Sequence, residues 1–277
     1  MASHRKLRIA TVAACAAVVA GGVTGCSQFD QPRADAGALP RQQDVRPVVA
    51  APSPDPFKGL SADEIADKSV AATQSATSLR MTGRVVSEGQ TVDVDFSVND
   101  KAECTGKLKV QGGTAELRQK AKAAYMKGDE RFWRASMTSQ GLPEPQIDAT
   151  LELLKGRWVK FPAGQEGSAE LSGVCDLKAL LDDLSKDEGA RTGLTRGKDG
   201  RVGKTPTATL VKQKAAGERS VVSVAQQGKP YILRIVKTGG DEPGTVVLSA
   251  YDKPVKVVTP PADETVDLSR LDPGTRA

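Results

Sequence analysis

The sequence predicts an α+β protein built on an antiparallel sheet, and two local patterns support this fold class. Residues 91–98 alternate apolar and polar side chains without a break, which is typical of a strand with one buried face. Ser61 and Glu64 have the spacing of a helix capping box, with Leu60 and Ile65 in hydrophobic-staple positions, so a helix is expected from residue 61 to about residue 77. Short apolar runs separated by Gly, Asn and Asp then indicate an antiparallel meander.

The remaining elements follow in chain order. Amphipathic helices are expected at 143–154 and 175–185, where leucine and isoleucine recur at helical spacing. The segment 189–204 is rich in Gly, Arg and Lys and is expected to be a mobile loop. Strands are expected at 79–88, 91–98, 104–111, 114–119, 122–127, 131–135, 157–161, 205–214, 218–226, 231–237, 245–251 and 255–259.

Residues 1–25 have the layout of a lipoprotein signal peptide. Three basic side chains within residues 5–8 precede an uncharged run of mostly small and apolar residues over 9–23. The run ends in Val23-Thr24-Gly25-Cys26, which resembles the lipobox of bacterial lipoproteins, in which the cysteine receives a diacylglycerol and becomes the mature N-terminus. The sequence therefore predicts lipid attachment at Cys26. A plain signal peptide that is cut near this cysteine is the alternative.

A tether and a folded domain are expected after the signal peptide. Residues 26–60 contain the lipidated cysteine and six prolines, a composition that cannot bury a core, so they are expected to form a disordered tether. Residues 61–261 are expected to form the folded domain, and residues 262–277 a loose polar tail. The chain is then held by its lipid on the extracytoplasmic face of the cell membrane.

Composition disfavours several function classes. Removal of the signal peptide takes three of the 39 basic residues and leaves 36 against 34 acidic ones, a charge of about +2 that does not predict nucleic-acid binding. The only histidine, His4, lies in the signal peptide, so the mature chain has no imidazole for a Ser-His-Asp mechanism or a zinc site. We expect no cofactor and no enzymatic activity.

Two cysteines remain after Cys15 is removed with the signal peptide and Cys26 is lipidated. Cys104 and Cys175 are expected to form a disulfide, because an exported domain folds in an oxidising compartment. A redox or metal-binding pair is the alternative, which the absence of a C-x-x-C motif disfavours.

Several late strands are apolar on both faces. Tyr231, Leu233 and Ile235 are expected to face one way, and Ile232 and Val236 the other. A sheet curved around amphipathic helices can bury this surface in a filled core, or it can enclose an apolar cavity for a ligand. The pattern itself favours the filled core, and the ligand cavity is the alternative.

Two C-terminal motifs resemble those of a known family. Gly228–Val236 reads GKPYILRIV and Leu248–Val257 reads LSAYDKPVKV. They are similar to the G-x-P-[YW]-x-x-[RK] and F-S-x-[YF]-x-x-P-V strands of the LppX–LprA–LprF–LprG family of actinobacterial cell-envelope lipoproteins, although Leu248 stands where Phe is expected. The resemblance covers roughly residues 61–260 and does not extend to the Cys104–Cys175 pair.

The resemblance implies a curved antiparallel half-barrel sheet with helices packed on its concave face and an apolar cavity between them. Members of the family are implicated in carrying or presenting lipids and lipoglycans in the envelope. The expected partners are therefore the membrane, through diacylglyceryl-Cys26, and an acyl-chain lipid or lipoglycan. The candidate cavity-lining residues are Phe96, Ile147, Leu151, Leu180, Leu181, Leu184, Tyr231, Leu233 and Ile235.

Two other functions compete with lipid carriage. An envelope protein-interaction or sensory module would have a filled core and no ligand. An enzyme acting on envelope polymers would need converging carboxylates, and the densest acidic cluster is Asp182, Asp183, Asp187 and Glu188. A solvated helix end explains this cluster better than a catalytic site does.

Overall fold

The computed structural model describes residues 55–87, 89–121, 123–161, 173–185, 193–214 and 217–267. The predicted signal peptide, the predicted lipid-attachment residue Cys26 and residues 27–54 of the predicted tether lie outside this part of the chain. The last residues of the predicted tether belong to the folded part, because Phe57 is buried in an apolar cluster with Ile65 and Val224. The following elements all belong to the described residues.

The described helices number four, and three of them match sequence predictions. The helices are α1 Ala62–Gln74, α2 Glu130–Ser139, α3 Glu144–Leu154 and α4 Leu177–Ser185. The strands are β1 Ser78–Ser87, β2 Gln90–Asn99, β3 Cys104–Val110, β4 Gly113–Lys120, β5 Ala123–Gly128, β6 Trp158–Phe161, β7 Leu194–Arg196, β8 Gly200–Val202, β9 Thr205–Gln213, β10 Arg219–Ala225, β11 Ile232–Thr238, β12 Gly244–Ser249 and β13 Thr265–Asp267.

All thirteen described strands belong to one large sheet. Its order is β13-β6-β5-β4-β3-β2-β1-β12-β11-β10-β9-β7, with β8 also paired to β9. Every pair is antiparallel except β13 with β6, which is parallel. Because β7 and β13 end the pairing order, the sheet does not close within the described residues. The predicted α+β class and the antiparallel sheet are confirmed.

The first helix begins at the predicted capping box. The Ser61 hydroxyl accepts a hydrogen bond from the Glu64 backbone N–H at 3.2 Å, and the Glu64 carboxylate accepts one from the Ser61 N–H at 2.8 Å. Two otherwise unpaired N–H groups at the start of the helix are thereby satisfied. The helix ends at Gln74, about one turn before the predicted end.

The two faces of the sheet differ in composition. One of them, the helix face, presents buried apolar residues such as Leu79, Phe96 and Leu117, against which α1, α2 and α4 pack. The opposite or outer face presents residues such as Arg80 and Asp95, which alternate with them along the strands. This alternation is the one predicted for β2.

The strand predicted at 131–135 is wrong, because these residues lie in α2. Asp129 is the N-cap of this helix, and its side chain accepts a hydrogen bond from the Phe132 N–H at 2.8 Å. A five-residue stretch with two adjacent aromatic residues is too short to distinguish a strand from a helix. The predicted loop at 189–204 is also partly wrong, since it contains β7 and β8.

The C-terminal segment differs from prediction in two ways. Residues 255–259 form no strand; instead, the side chains of Arg118 and Lys120 donate hydrogen bonds to the carbonyl oxygens of Val258 and Val257. The segment leads into β13, so the prediction of a loose tail from residue 262 is wrong for residues 265–267. The rest of that predicted tail lies outside the described residues.

Gly106 is a position where the sheet requires glycine. A Cβ at this position would overlap the Asp95 carbonyl oxygen and the Phe96 ring, which lies across the glycine. We expect Gly106→Ala to lower the free energy of unfolding by about 1–3 kcal/mol, because the core has no room for the added carbon. The matched control is Gly200→Ala, whose added Cβ has its nearest neighbour at 3.7 Å. Urea denaturation measures both variants, and equal losses of stability would contradict the steric explanation.

Candidate functional site

The predicted disulfide is present and joins the sheet to α4. Cys104 begins β3 and Cys175 lies two residues before α4, with their Cα atoms 5.3 Å apart and both side chains fully buried. The prediction of this pair is confirmed. The bond holds the start of α4 against the helix face of the sheet.

A packed apolar cluster lies between the sheet and α4. Leu177 and Leu181 point from α4 into it, and Phe96 and Leu117 point into it from the sheet. These side chains touch in one contiguous group, as in an ordinary protein core. The buried members are Leu79, Phe96, Val98, Cys104, Ala115, Leu117, Met126, Cys175, Leu177, Leu181, Ile232, Val246 and Leu248.

An opening of about 700 Å³ borders this cluster between the end of α1, the turn from β2 to β3, and α4. We call it the α1–α4 opening. The buried side chains of Ala76, Leu177 and Leu181 supply its apolar walls. Its polar lining residues are Gln74, Asn99, Asp100, Asp176, Lys178 and Asp182. The volume is within the range of small-molecule sites in proteins.

A second, smaller opening of about 290 Å³ lies between α2 and α3. Trp133 and Leu151 line this α2–α3 opening, and Ile147 is fully buried in the adjoining cluster. Arg134 bridges the two helices through ion pairs to Glu144 at 2.6 Å and Asp148 at 2.8 Å. Its pKa is raised, first by the hydrogen bond to Asp148 and against the opposing effect of desolvation.

The structure divides the predicted cavity-lining residues between these two places. Phe96 and Leu181 belong to the cluster beneath α4, and Leu180 and Ile235 pack against it. Ile147 and Leu151 belong to the separate α2–α3 cluster. The side chain of Leu184 lies outside the described part of the chain. The other two predicted residues are half-buried: Tyr231 lies just before β11, and Leu233 lies in it.

A bulge in β11 changes which residue faces the cluster. The register with β10 pairs Arg234 with Ser223 but Ile232 with Val224, so Leu233 is skipped. Ile232 therefore shares the helix face with Ile235 and is 5% exposed, whereas Leu233 is absent from the apolar clusters of the described residues. The prediction that Ile232 and Ile235 point to opposite faces is wrong, because a bulge reverses the alternation.

A polar group around Asp252 was not foreseen from the sequence. The Tyr231 hydroxyl donates to the Asp252 carboxylate at 2.5 Å, and the Thr77 backbone N–H donates to it at 2.9 Å. The ring of Tyr231 stacks on that of Tyr251 with 4.0 Å between centroids. These contacts tie the residue before β11 and the segment after β12 to Thr77, the residue before β1. The Tyr–x20–Asp spacing was visible, but no local pattern relates residues this far apart.

The environment of Asp252 and Tyr251 shifts their pKa values in opposite directions. The hydrogen bond from Tyr231, followed by that from the Thr77 N–H, lowers the pKa of Asp252 to about 2. Burial raises the pKa of Tyr251, whose hydroxyl donates to the Ile232 carbonyl oxygen. Both groups therefore keep their usual charge at neutral pH and act as fixed hydrogen-bonding partners.

The predicted acidic cluster is only partly visible. Asp182 forms an ion pair with Lys178 at 2.9 Å, one turn away on α4. The side chain of Asp183, and Asp187 and Glu188, lie outside the described residues. Within the described ranges no group of His, Cys, Asp and Glu side chains has the geometry of a metal site. No described helix combines the length and the apolar character needed to cross a membrane.

The outer face of the sheet carries ten basic and four acidic residues, a net charge of +6. Three ion pairs, Arg80–Asp95, Arg84–Asp93 and Lys107–Glu116, cross between neighbouring strands of this face at 2.5–2.8 Å. The basic residues are Arg80, Arg84, Lys107, Lys109, Arg118, Lys120, Lys127, Lys160, Arg219 and Arg234, and the acidic ones are Asp93, Asp95, Glu116 and Asp267.

The depressed pKa of Asp252 predicts a pH-dependent contribution to stability. Its pKa is about 2 in the folded chain and about 3.9 when unfolded, so the stabilisation is present above about pH 4 and is lost as the pH falls toward 2. We expect Asp252→Asn to lower the free energy of unfolding by about 1 kcal/mol at pH 7 and by almost nothing near pH 2. The effect at pH 7 is smaller than for a buried carboxylate, because this one is exposed to solvent. Asparagine tolerates the positive φ of 57° at this position.

Thermal unfolding of parent and variant across this pH range measures the difference. Asp263→Asn, at an exposed carboxylate, is the control. A stability difference that stays constant from pH 7 to pH 2 would contradict the assigned role of the Asp252 charge.

No known protein family matches the chain, and no curated protein matches it either. Among solved structures, the chain is similar to LprF from Mycobacterium bovis, with 14% identity, a TM-score of 0.48, and coverage of 72% of this chain and 96% of that one. It is also similar to the lipoprotein LppX of Mycobacterium tuberculosis, with 16% identity, a TM-score of 0.43, and coverage of 71% and 98%. A chain of the MucA/MucB complex of Pseudomonas aeruginosa matches at 12% identity and a TM-score of 0.32, with coverage of 73% and 59%. The family that the sequence resembles takes its name in part from LprF and LppX.

Proposed function

We propose that this chain is a lipid-anchored lipoprotein of the cell envelope that binds the acyl part of a lipid or lipoglycan and carries or presents it there. Diacylglyceryl-Cys26 is the anchor, and the residues between it and Phe57, which is buried in the folded domain, are the tether. The lipid lies in an apolar cavity between the sheet and the helices on its concave face. The reaction is binding and release, without catalysis.

The α1–α4 opening is the observation on which this proposal depends. Its apolar walls, from Ala76, Leu177 and Leu181, continue into the packed cluster, and its rim is polar. An acyl chain placed against Leu177 and Leu181 loses contact with water, which stabilises the complex by about 25 cal/mol for each Å² of apolar surface buried. The headgroup then lies at the rim, where the exposed amide of Gln74 can form hydrogen bonds with it.

A filled-core interaction module is the second candidate function. The observation in its favour is that Phe96, Leu117 and Leu181 are all buried and belong to one contiguous apolar cluster. In that case the chain binds envelope proteins through its surface, and the α1–α4 opening is only a surface depression. The two functions differ in whether lipid co-purifies with the protein.

Leu181→Trp tests the proposed site. The larger side chain fills the α1–α4 opening, so we expect co-purifying lipid to fall at least several-fold while the melting temperature changes by less than about 4 °C, or roughly 1 kcal/mol. The matched control is Leu151→Trp, which places the same bulk beside the α2–α3 opening. Native mass spectrometry measures lipid, and calorimetry measures melting.

Lipid loss in the Leu181 variant alone supports the α1–α4 opening as the site. Equal loss in both variants, or a parent protein without lipid, would contradict it. A large drop in melting temperature with lipid content unchanged indicates the filled-core module, because overpacking a filled core typically costs about 1–3 kcal/mol.

Cys26→Ala tests the anchor separately from the site. The variant lacks the thiol that receives the diacylglycerol, so we expect it to leave the detergent phase and the membrane fraction. The folded residues are unchanged, and the melting temperature of the domain is expected to match that of the parent. Continued partition into detergent would overturn the lipoprotein assignment without bearing on the α1–α4 opening.

A further inference from the structure

Charge is distributed unequally between the sheet and the helices. The strands of the outer face have a net charge of +6, while the four described helices carry nine acidic and four basic residues, a net charge of −5. Two of the ten outer-face cations, Arg118 and Lys120, bind the carbonyl oxygens of Val258 and Val257, so the surface open to a partner is that of the other strands. The overall charge of the mature chain conceals this separation. A surface with excess charge of one sign selects partners of the opposite sign.

Three of the positive charges on the outer face come from lysines on β3 and β5, namely Lys107, Lys109 and Lys127. Lys107 pairs with Glu116, whereas Lys109 is exposed beside the Arg84–Asp93 pair. Arg84, Asp93 and Lys109 line a shallow depression of about 310 Å³ at the edge formed by the turns between strands. Arg84 and Lys109 carry two positive charges against the one negative charge of Asp93, so the depression has a net positive charge. Such a charge attracts an anionic phosphate group.

The other half of the outer face carries a short row of apolar residues, which lies between Arg219 on β10 and Arg234 on β11. Val211, Val221 and Val236 are directly opposite one another on β9, β10 and β11, and Val236 is followed by Thr245 and Arg84 in the same row. The three valines are half-buried and contact no described helix through the apolar clusters. A cationic region continuous with a small apolar region is the composition of surfaces that lie on anionic bilayers.

We infer that the outer face of the sheet binds the surface of an anionic phospholipid bilayer. The inference rests on the proposed function, because a lipid on Cys26 confines the domain to the membrane. The residues between Cys26 and Asp55 can extend at most about 100 Å, so the face stays within reach of the headgroups. Electrostatic attraction then orients the sheet toward the membrane and the acidic helices away from it.

The test uses the full mature chain with Cys26→Ala, so that the diacylglycerol does not contribute to binding. Flotation is measured with vesicles of equal parts phosphatidylglycerol and phosphatidylcholine, and with vesicles of phosphatidylcholine alone. We expect binding to the anionic vesicles only. Raising the salt from about 0.1 M to about 1 M shortens the screening length from about 10 Å to about 3 Å and should release the protein.

The variant Lys107→Gln, Lys109→Gln, Lys127→Gln removes three positive charges from the outer face. Each basic residue near an anionic membrane contributes roughly a fivefold change in partition, so we expect at least a tenfold loss for the triple variant. The matched control is Lys68→Gln, Lys155→Gln, Lys178→Gln, which removes the same charge from the helices and their ends. The control should bind as the parent does.

Several outcomes would overturn the inference. They are equal losses in both triple variants, binding to neutral vesicles, and binding that persists at high salt. Sedimentation without vesicles separates one more case: association of the outer face with the acidic helices of a second copy, which would also overturn it. Circular dichroism confirms that each variant is folded. Lipid co-purification in the same preparations reports on the α1–α4 opening, so failure of either proposal is visible without the other.

Discussion

The bond between Cys104 and Cys175 is the constraint on which the arrangement of helix and sheet depends. Helix α4 has nine residues, and helices shorter than about 12 residues are marginal in water without tertiary contacts. The disulfide fixes its start against β3 and closes a loop of 71 residues, which stabilises the fold by about 4 kcal/mol in the chain-entropy description. Leu177 and Leu181 then lie over Phe96, and the α1–α4 opening is formed beside them. Without the bond, α4 is held by noncovalent packing against this cluster and against α1.

Local sequence patterns predicted most elements because most elements are determined locally. The capping box at Ser61 and Glu64 and the alternation over residues 91–98 appear in the structure as predicted. The helix α2 was missed because its start depends on the Asp129 side chain. Its few apolar residues are compatible with the spacing of a helix and with that of a strand. The strand β13 was missed because three residues form a strand only when an existing edge, here β6, provides the hydrogen bonds.

The candidate site was predictable only in part. Helical spacing identified Leu181 and Leu151 as inward residues, and both are buried. Spacing cannot show that α3 packs on α2 while α4 packs on the sheet, and this difference separates the two leucines. The bulge that brings Ile232 to the helix face also has no signal in the sequence of β11, since it arises from the pairing with β10. The charge of the outer face was hidden because its cations alternate with apolar residues along each strand.

The topology of the sheet also bears on when the chain can fold. Strand β1 pairs with β12, and the partners Arg80 and Ser249 are separated by 169 residues. Until residue 249 has been synthesised, β1 has no partner on its β12 side, and the meander β1 to β6 cannot join the meander β9 to β12. Strand β13 pairs with β6 later still. Pairings of such high contact order form slowly. A truncation before β12 therefore leaves two separate half-sheets, β6 to β1 and β11 to β9, each with an unpaired edge.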